Sequence, residues 1–170
     1  MATTDKLFAG SIPELYERFL VPLIFEHYAR DLAIRVADTA PKDVLETAAG
    51  TGVLTRAMAA RLPAAVRIVA TDLNQPMLDQ AARRQAGDPR IEWRQADALA
   101  LPFPAASFGV VVCQFGAMFF PDKVAGYKEA RRVLRSGGHL IFKQATAALA
   151  RRFGNGPIEG RIRAIVISAA

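Results

Sequence analysis

Short apolar runs bounded by turn residues alternate along this chain with stretches whose apolar positions recur every three or four residues. Val44-Leu45 opens the first such run, and Val53 to Arg61 follows with helical spacing. Val66 to Thr71 is strand-like, Gln75 to Gln85 helical and Arg90 to Arg94 strand-like again. Phe108 to Cys113 is continuously apolar, as expected of a strand buried on both faces. Asp122 to Arg135 reads as helix, Ser136-Gly137-Gly138 as a turn and His139 to Lys143 as a strand. Upstream, Ser11 to Ala37 has a different texture. Ser11 is placed to cap a helix with Pro13 and Glu14 in its first turn. Leu15, Phe19, Leu23 and Ile24 recur at helical spacing, and Pro22 predicts a break into two helices. At the other end, residues 145–152 suit a helix, Gly154-Asn155-Gly156-Pro157 a loop, and Arg161 to Ser168 one more strand.

Strands alternating with helices predict an α/β fold: a doubly wound, mostly parallel sheet with helices on both faces. The expected strand order is 3-2-1-4-5. The expected division is an N-terminal helical cap over residues 1–40, the sheet domain over 41–143 and an atypical tail over 144–170. The fifth strand would then be a bare edge, leaving the sheet incomplete, and bare edges invite pairing. The run from Ile162 to Ile167 could cover it, in its own chain or in a second copy as a homodimer.

Composition narrows the function classes. One domain of 170 residues can hold a single core. The net charge is +6, but Arg151, Arg152, Arg161 and Arg163 against Glu159 supply +3 of it. No compact basic face interleaved with aromatics appears, so no nucleic-acid partner is expected. No apolar run is long enough to span a bilayer, so no membrane partner is expected either. The lone Cys113 excludes an internal disulfide framework and fits a reducing, cytoplasmic setting. His27 and His139 are isolated, so no metal is expected.

Chemistry concentrates after the predicted strands. Val44-Leu45-Glu46-Thr47-Ala48-Ala49-Gly50-Thr51-Gly52 joins a strand to a helix. Glycine there lets the backbone turn tightly and approach a ligand, and open parallel sheets bind ligands beyond the carboxyl ends of their strands. A dinucleotide site would need G-x-G-x-x-G, and Thr55 stands where its last glycine belongs. Glu46 would repel a pyrophosphate but suits a cationic ligand, which favours S-adenosyl-L-methionine over a nicotinamide cofactor. In Ile68-Val69-Ala70-Thr71-Asp72-Leu73-Asn74, Asp72 ends the second strand 20 residues after Gly52, where an acid can accept from ribose hydroxyls. Met77 follows, placed to lie against an adenine face. Asp97 and Ala98 follow the third strand and could meet the adenine edge. Gln114 ends the fourth, near the cofactor's methionine part or the substrate, and Phe115, Met118, Phe119 and Phe120 could wall a pocket.

The order of these motifs resembles the class I S-adenosylmethionine-dependent methyltransferases. The likeness runs through Leu45-Glu46-x-Ala48-x-Gly50-x-Gly52, Ala70-x-Asp72-x-Asn74-x-x-Met77-Leu78 and Ala96-Asp97-Ala98. It continues through Leu101-Pro102-Phe103-Pro104-x-x-Ser107-Phe108, Phe119-Phe120-Pro121-Asp122 and Glu129-x-x-Arg132-Val133-Leu134-Arg135-x-Gly137-Gly138. Six motifs in order carry weight that none has alone. The pattern is similar to the small-molecule group that includes the ubiquinone and menaquinone C-methyltransferases, over residues 11–143. The resemblance implies a Rossmann-like domain that transfers a methyl group to a small-molecule acceptor. Glu46, Ala48, Gly50, Thr51 and Gly52 would hold the methionine end, Asp72 with Leu73, Asn74 and Met77 the nucleoside, and Asp97 and Ala98 the adenine. Gln114 would border the reacting end, and Tyr16 would belong to a cap. No general base is evident.

The chain departs from the pattern in three places. Ala48 replaces the loop's first glycine and would crowd the methionine part. Ser136 replaces the usual proline of the last turn. After Phe142 the likeness ends, which would follow from truncation, a frameshift or a vector-derived tail. The alternative reading is therefore a truncated S-adenosylmethionine-binding domain without activity. Blander roles stand beside the functional ones: a helix cap for Asp72, a surface turn for Asp97, and core packing for Gln114, Phe119 and Cys113.

Overall fold

The computed structural model describes residues 12–145 and 164–169. Six strands form one sheet in the order β3-β2-β1-β4-β5-β6. They are β1 (Asp43–Thr47), β2 (Arg67–Asp72), β3 (Ile91–Gln95), β4 (Phe108–Gln114), β5 (Leu134–Ala145) and β6 (Ala164–Ala169). The first five are parallel, with Val44 opposite both Ile68 and Val110, and β6 runs antiparallel to β5, pairing Ile141 with Ser168. The expected order 3-2-1-4-5 is present, and the tail strand lies on the β5 edge within its own chain.

Period-two alternation divides the core between the two faces. Val44, Ile68, Val110, Val112 and Ile141 point to one side, against α2 (Glu26–Asp38) and α3 (Val53–Arg61). Leu45, Val69, Val111, Cys113 and Phe142 point to the other, against Ala130 and Val133 of α5 (Lys123–Val133). Helix α4 (Gln75–Arg84) buries Met77, Leu78 and Ala81. Helices on both faces push every strand-to-helix loop to the ends of the strands, which is what creates a crevice there.

Two expectations are corrected. Ser136-Gly137-Gly138 is not a turn between a helix and a strand but a bulge inside β5. Phe108 pairs with Leu134 and Val110 with His139, and Gly137 takes φ +73°. Nor does Pro22 split the N-terminal region. Helix α1 (Ile12–Leu15), a π-helical segment (Tyr16–Phe25) and α2 run on without a break, with Pro22 inside the π-helical segment. The wider register, seen where the Glu26 amide donates to the Val21 carbonyl, accommodates a residue that has no N–H to give. The cap expected at Ser11, residues 146–152 of the expected helix and the loop at 154–157 lie outside the described residues; Ala145, expected to open that helix, instead ends β5.

Candidate cofactor site

The site forms at the carboxyl ends of β1, β2 and β4. Beyond β1 the backbone turns left-handed at Ala48 (φ +53°), Gly50 (φ +58°) and Gly52 (φ +77°) before α3 begins. Gly52 has to be glycine on steric grounds as well: a Cβ there would lie 2.7 Å from the Trp93 ring and 3.0 Å from Ala81 Cβ. Asp72 holds the loop in place. Its Oδ2 accepts from the Gly50 amide (2.8 Å) and its Oδ1 from the Asn74 amide (2.9 Å). Asn74 begins α4 without a side-chain cap, Leu73 is partly exposed, and Met77 is buried with its methyl end beside Gly50.

Two carboxyl groups are buried beside this loop. Glu46 is 1% exposed, and its Oε2 accepts from the Thr55 hydroxyl at 2.6 Å. Burial pushes its pKa up to about 8; the Thr55 hydrogen bond and the Arg56 charge oppose the shift, and Asp72 adds to it. Burial likewise raises Asp72, against the amides of Asn74 and Gly50. Cys113 is buried and its thiol raised to about 11 by desolvation, which suits packing rather than nucleophilic work. Asp97 stands exposed, its Oδ1 accepting from the Leu99 amide (2.8 Å) to close a turn. Ala98 beside it is half-buried, and the preceding Ala96 amide donates to the Asp72 carbonyl (3.0 Å). The third-strand segment is thereby tied to the second.

The N-terminal segment closes this end of the sheet. Gln114 Nε2 donates to the Phe25 carbonyl (2.9 Å), Phe25 stacks on Tyr16, and Phe25 and Tyr28 both meet the Phe115 ring. Burial drives the Tyr16 phenol well above its usual value, and the nearby Asp72 and Glu17 carboxylates push the same way. Arg56 donates to Glu17 Oε1 (2.6 Å) and to the Thr51 carbonyl (2.7 Å). Thr51 Oγ1, Gln114 Oε1 and Glu17 Oε2 are buried without hydrogen-bond partners. Such atoms are costly unless something polar meets them.

Among the residues expected to line a site, the structure gathers Glu46, Ala48, Gly50, Thr51, Gly52, Asp72, Met77 and Gln114. Phe119 and Met118 are exposed on the 3₁₀ turn Gly116–Phe119. Sequence reasoning missed Glu17, Arg56 and Trp93. Glu17 carried a signal: Pro13, Glu17 and Val21 form the buried stripe of the cap, and an acid in such a stripe must have a partner. A separate groove of about 640 Å³ runs between α2 and α3 past Ala29, Ala33 and Ala57, and none of the expected cofactor residues lines it. Among the described residues, no helix is long and apolar enough to cross a membrane.

A doubly wound sheet with a glycine loop after β1 and a carboxylate ending β2 defines a nucleoside-cofactor domain. Its family follows from comparison with known proteins. The profile described as "Methyltransferase domain" matches residues 44–138, and the chain belongs to that family, the class I S-adenosylmethionine-dependent methyltransferases. It is 35% identical over 154 residues to the demethylmenaquinone methyltransferase of Deinococcus radiodurans, covering 88% of this chain and 63% of that protein. It is 39% identical over 124 residues to the demethylmenaquinone methyltransferase of Thermus thermophilus, covering 72% and 54%. The crystal structure of the YcgJ protein of Bacillus subtilis superposes with a TM-score of 0.63 at 27% identity, covering 71% and 52%. The chain thus spans between half and two thirds of the length of these curated relatives. The family's cofactor is S-adenosyl-L-methionine.

Proposed function

We propose that this chain binds S-adenosyl-L-methionine at the β1–β2–β4 crevice and serves methyl transfer to a small-molecule acceptor. The observation that carries the reading is the buried carboxyl of Glu46, which lies at the carboxyl end of β1 beside the glycine loop. A pyrophosphate over that loop would meet an acid, whereas an ammonium- and sulfonium-bearing nucleoside meets the charge it needs; Asp72, at the end of β2, suits a ribose in either case. The unpartnered oxygens of Thr51 and Gln114 add a polar lining that such a ligand would satisfy.

When bound, the cofactor supplies an electrophilic methyl carbon, and the protein supplies alignment. In this reading Glu46, Ala48, Gly50, Thr51 and Gly52 surround the methionine end. Asp72, Leu73, Asn74 and Met77 surround the nucleoside, and Asp97 and Ala98 border the adenine. Gln114 marks the boundary with the acceptor. Residues 1–40 act as the cap, 41–143 as the cofactor domain and 144–170 as an added tail. The names of the relatives direct the acceptor search to demethylmenaquinone-type molecules, and the lone cysteine is the ground for proposing a cytoplasmic setting. Two steps test the reading. Calorimetric titration should show saturable binding of S-adenosylhomocysteine and none of NADH; the reverse would end it. Radiolabelled methyl transfer to demethylmenaquinol-type acceptors then separates a working enzyme from a binding domain.

A further inference from the structure

Of the apolar positions that recur at helical spacing along the cap, Leu15, Phe19 and Leu23 are 52%, 55% and 79% exposed, while Glu17 is buried. Val21 and the Tyr16–Phe25 stack anchor the segment by apolar contact, and the buried Glu17 adds a charged anchor. Glu17 Oε1 is held by Arg56 at 2.6 Å and by Arg84 at 3.4 Å. Arg56 grips the glycine loop at the same time, through the Thr51 carbonyl. A second polar tie, from Gln114 Nε2 to the Phe25 carbonyl, joins the same segment to an expected cofactor residue.

We propose that Arg56 is a positioning residue that latches the N-terminal cap over the crevice through Glu17, so that opening of this latch sets the rate at which the cofactor enters and leaves. The inference rests on the methyltransferase reading for the identity of the ligand. The geometry of the latch stands apart from it. Parting Glu17 from Arg56 while both stay buried would leave an unpaired charge, which disfavours half-open states relative to closed or fully hydrated ones. One arginine bonded to both lid and loop couples their movements. A latch made alike with and without ligand, as proposed, would when weakened speed entry and exit together and change the equilibrium little.

The test compares the wild-type chain with Glu17→Gln and with Arg84→Ala, which removes only the outer, half-exposed partner. Surface plasmon resonance would follow adenosylhomocysteine, and amide exchange would follow the free proteins. In Glu17→Gln, association and dissociation rates should both rise by about five-fold or more, with Kd moving less than about three-fold. Amides of residues 16–25 should exchange at least about ten-fold faster while those of β2 are unchanged. Arg84→Ala should move the same quantities in the same direction by less, and it carries the test if Glu17→Gln loses β2 protection. Faster dissociation with unchanged or slower association would overturn the latch, because that is the signature of a residue that only builds the site. Unchanged exchange over 16–25 would overturn it too. If the wild type binds no adenosylhomocysteine, the methyltransferase reading fails, and the exchange experiment still decides the latch.

Discussion

Ala48 and Gly116 form a steric pair: a Cβ added to Gly116 would sit 2.2 Å from the Ala48 Cβ, well inside van der Waals contact. The Ala48 side chain, expected to crowd the methionine part of a cofactor, packs here against a residue without a side chain. Ala48 holds a left-handed backbone at φ +53°, which costs a non-glycine residue about 1 kcal/mol. Ala48→Gly should therefore stabilise the chain by about that amount. Gly116→Ala should destabilise it by about 1–3 kcal/mol through overpacking. The double variant should recover much of that loss. Urea unfolding of the three variants checks this, and additive effects in the double variant would show that the two sites do not meet.

The raised carboxyl of Glu46 predicts a pH dependence of stability. Its folded value of about 8 lies above its ordinary 4.5, so between those values the folded chain holds a proton that the unfolded chain has lost. The resulting stability is complete below about 4.5 and is lost as pH rises through about 8. Asp72 is raised too and contributes with the same sign, so the wild-type curve alone does not isolate Glu46. Glu46→Gln removes the titration at one site. The melting temperature of this variant should gain on the wild type steadily from acid to alkaline pH; a constant offset would contradict the assignment.

Ligand binding should shift the same proton. A cationic ammonium seated beside Glu46 stabilises its charged form and releases a proton near neutral pH. Calorimetric enthalpies for adenosylhomocysteine should then vary with the ionisation enthalpy of the buffer, and the variation should vanish in Glu46→Gln. Identical enthalpies in phosphate and Tris would count against contact between that carboxyl and the ligand.

Two of the quoted motifs form a clamp. Glu129 Oε2 accepts from the Leu101 amide (2.8 Å), and Arg132 donates to the carbonyls of Phe103 (2.8 Å) and Leu101 (2.9 Å) while pairing with Glu129. Arg132→Ala should lower the melting temperature and speed exchange at the Leu101 amide, leaving adenosylhomocysteine affinity close to that of the wild type. A large loss of affinity would mean that the loop between β3 and β4 shapes the site directly.

The strands and helices were legible because burial on one face, or on both, leaves a periodic mark, and Val53–Arg61 matches the helix read from that mark. Glycines with a required backbone angle are legible for the same local reason. The bulge over 136–138 was not, since a turn and a bulge draw on the same residues and only the pairing partner tells them apart. In the cap, apolar spacing located a helical face without saying which way it points, and Leu15, Phe19 and Leu23 lie exposed. Glu17, Arg56 and Trp93 act through partners distant in sequence: Glu17 and Arg56 are 39 positions apart.

The chain has one tryptophan, and its ring edge lies where a Cβ on Gly52 would go. The indole therefore lies against the turn that leads into α3, and its emission responds to the packing around it. A shift in emission wavelength or yield would register a rearrangement of that turn without any attached dye, and no second indole would blur the signal.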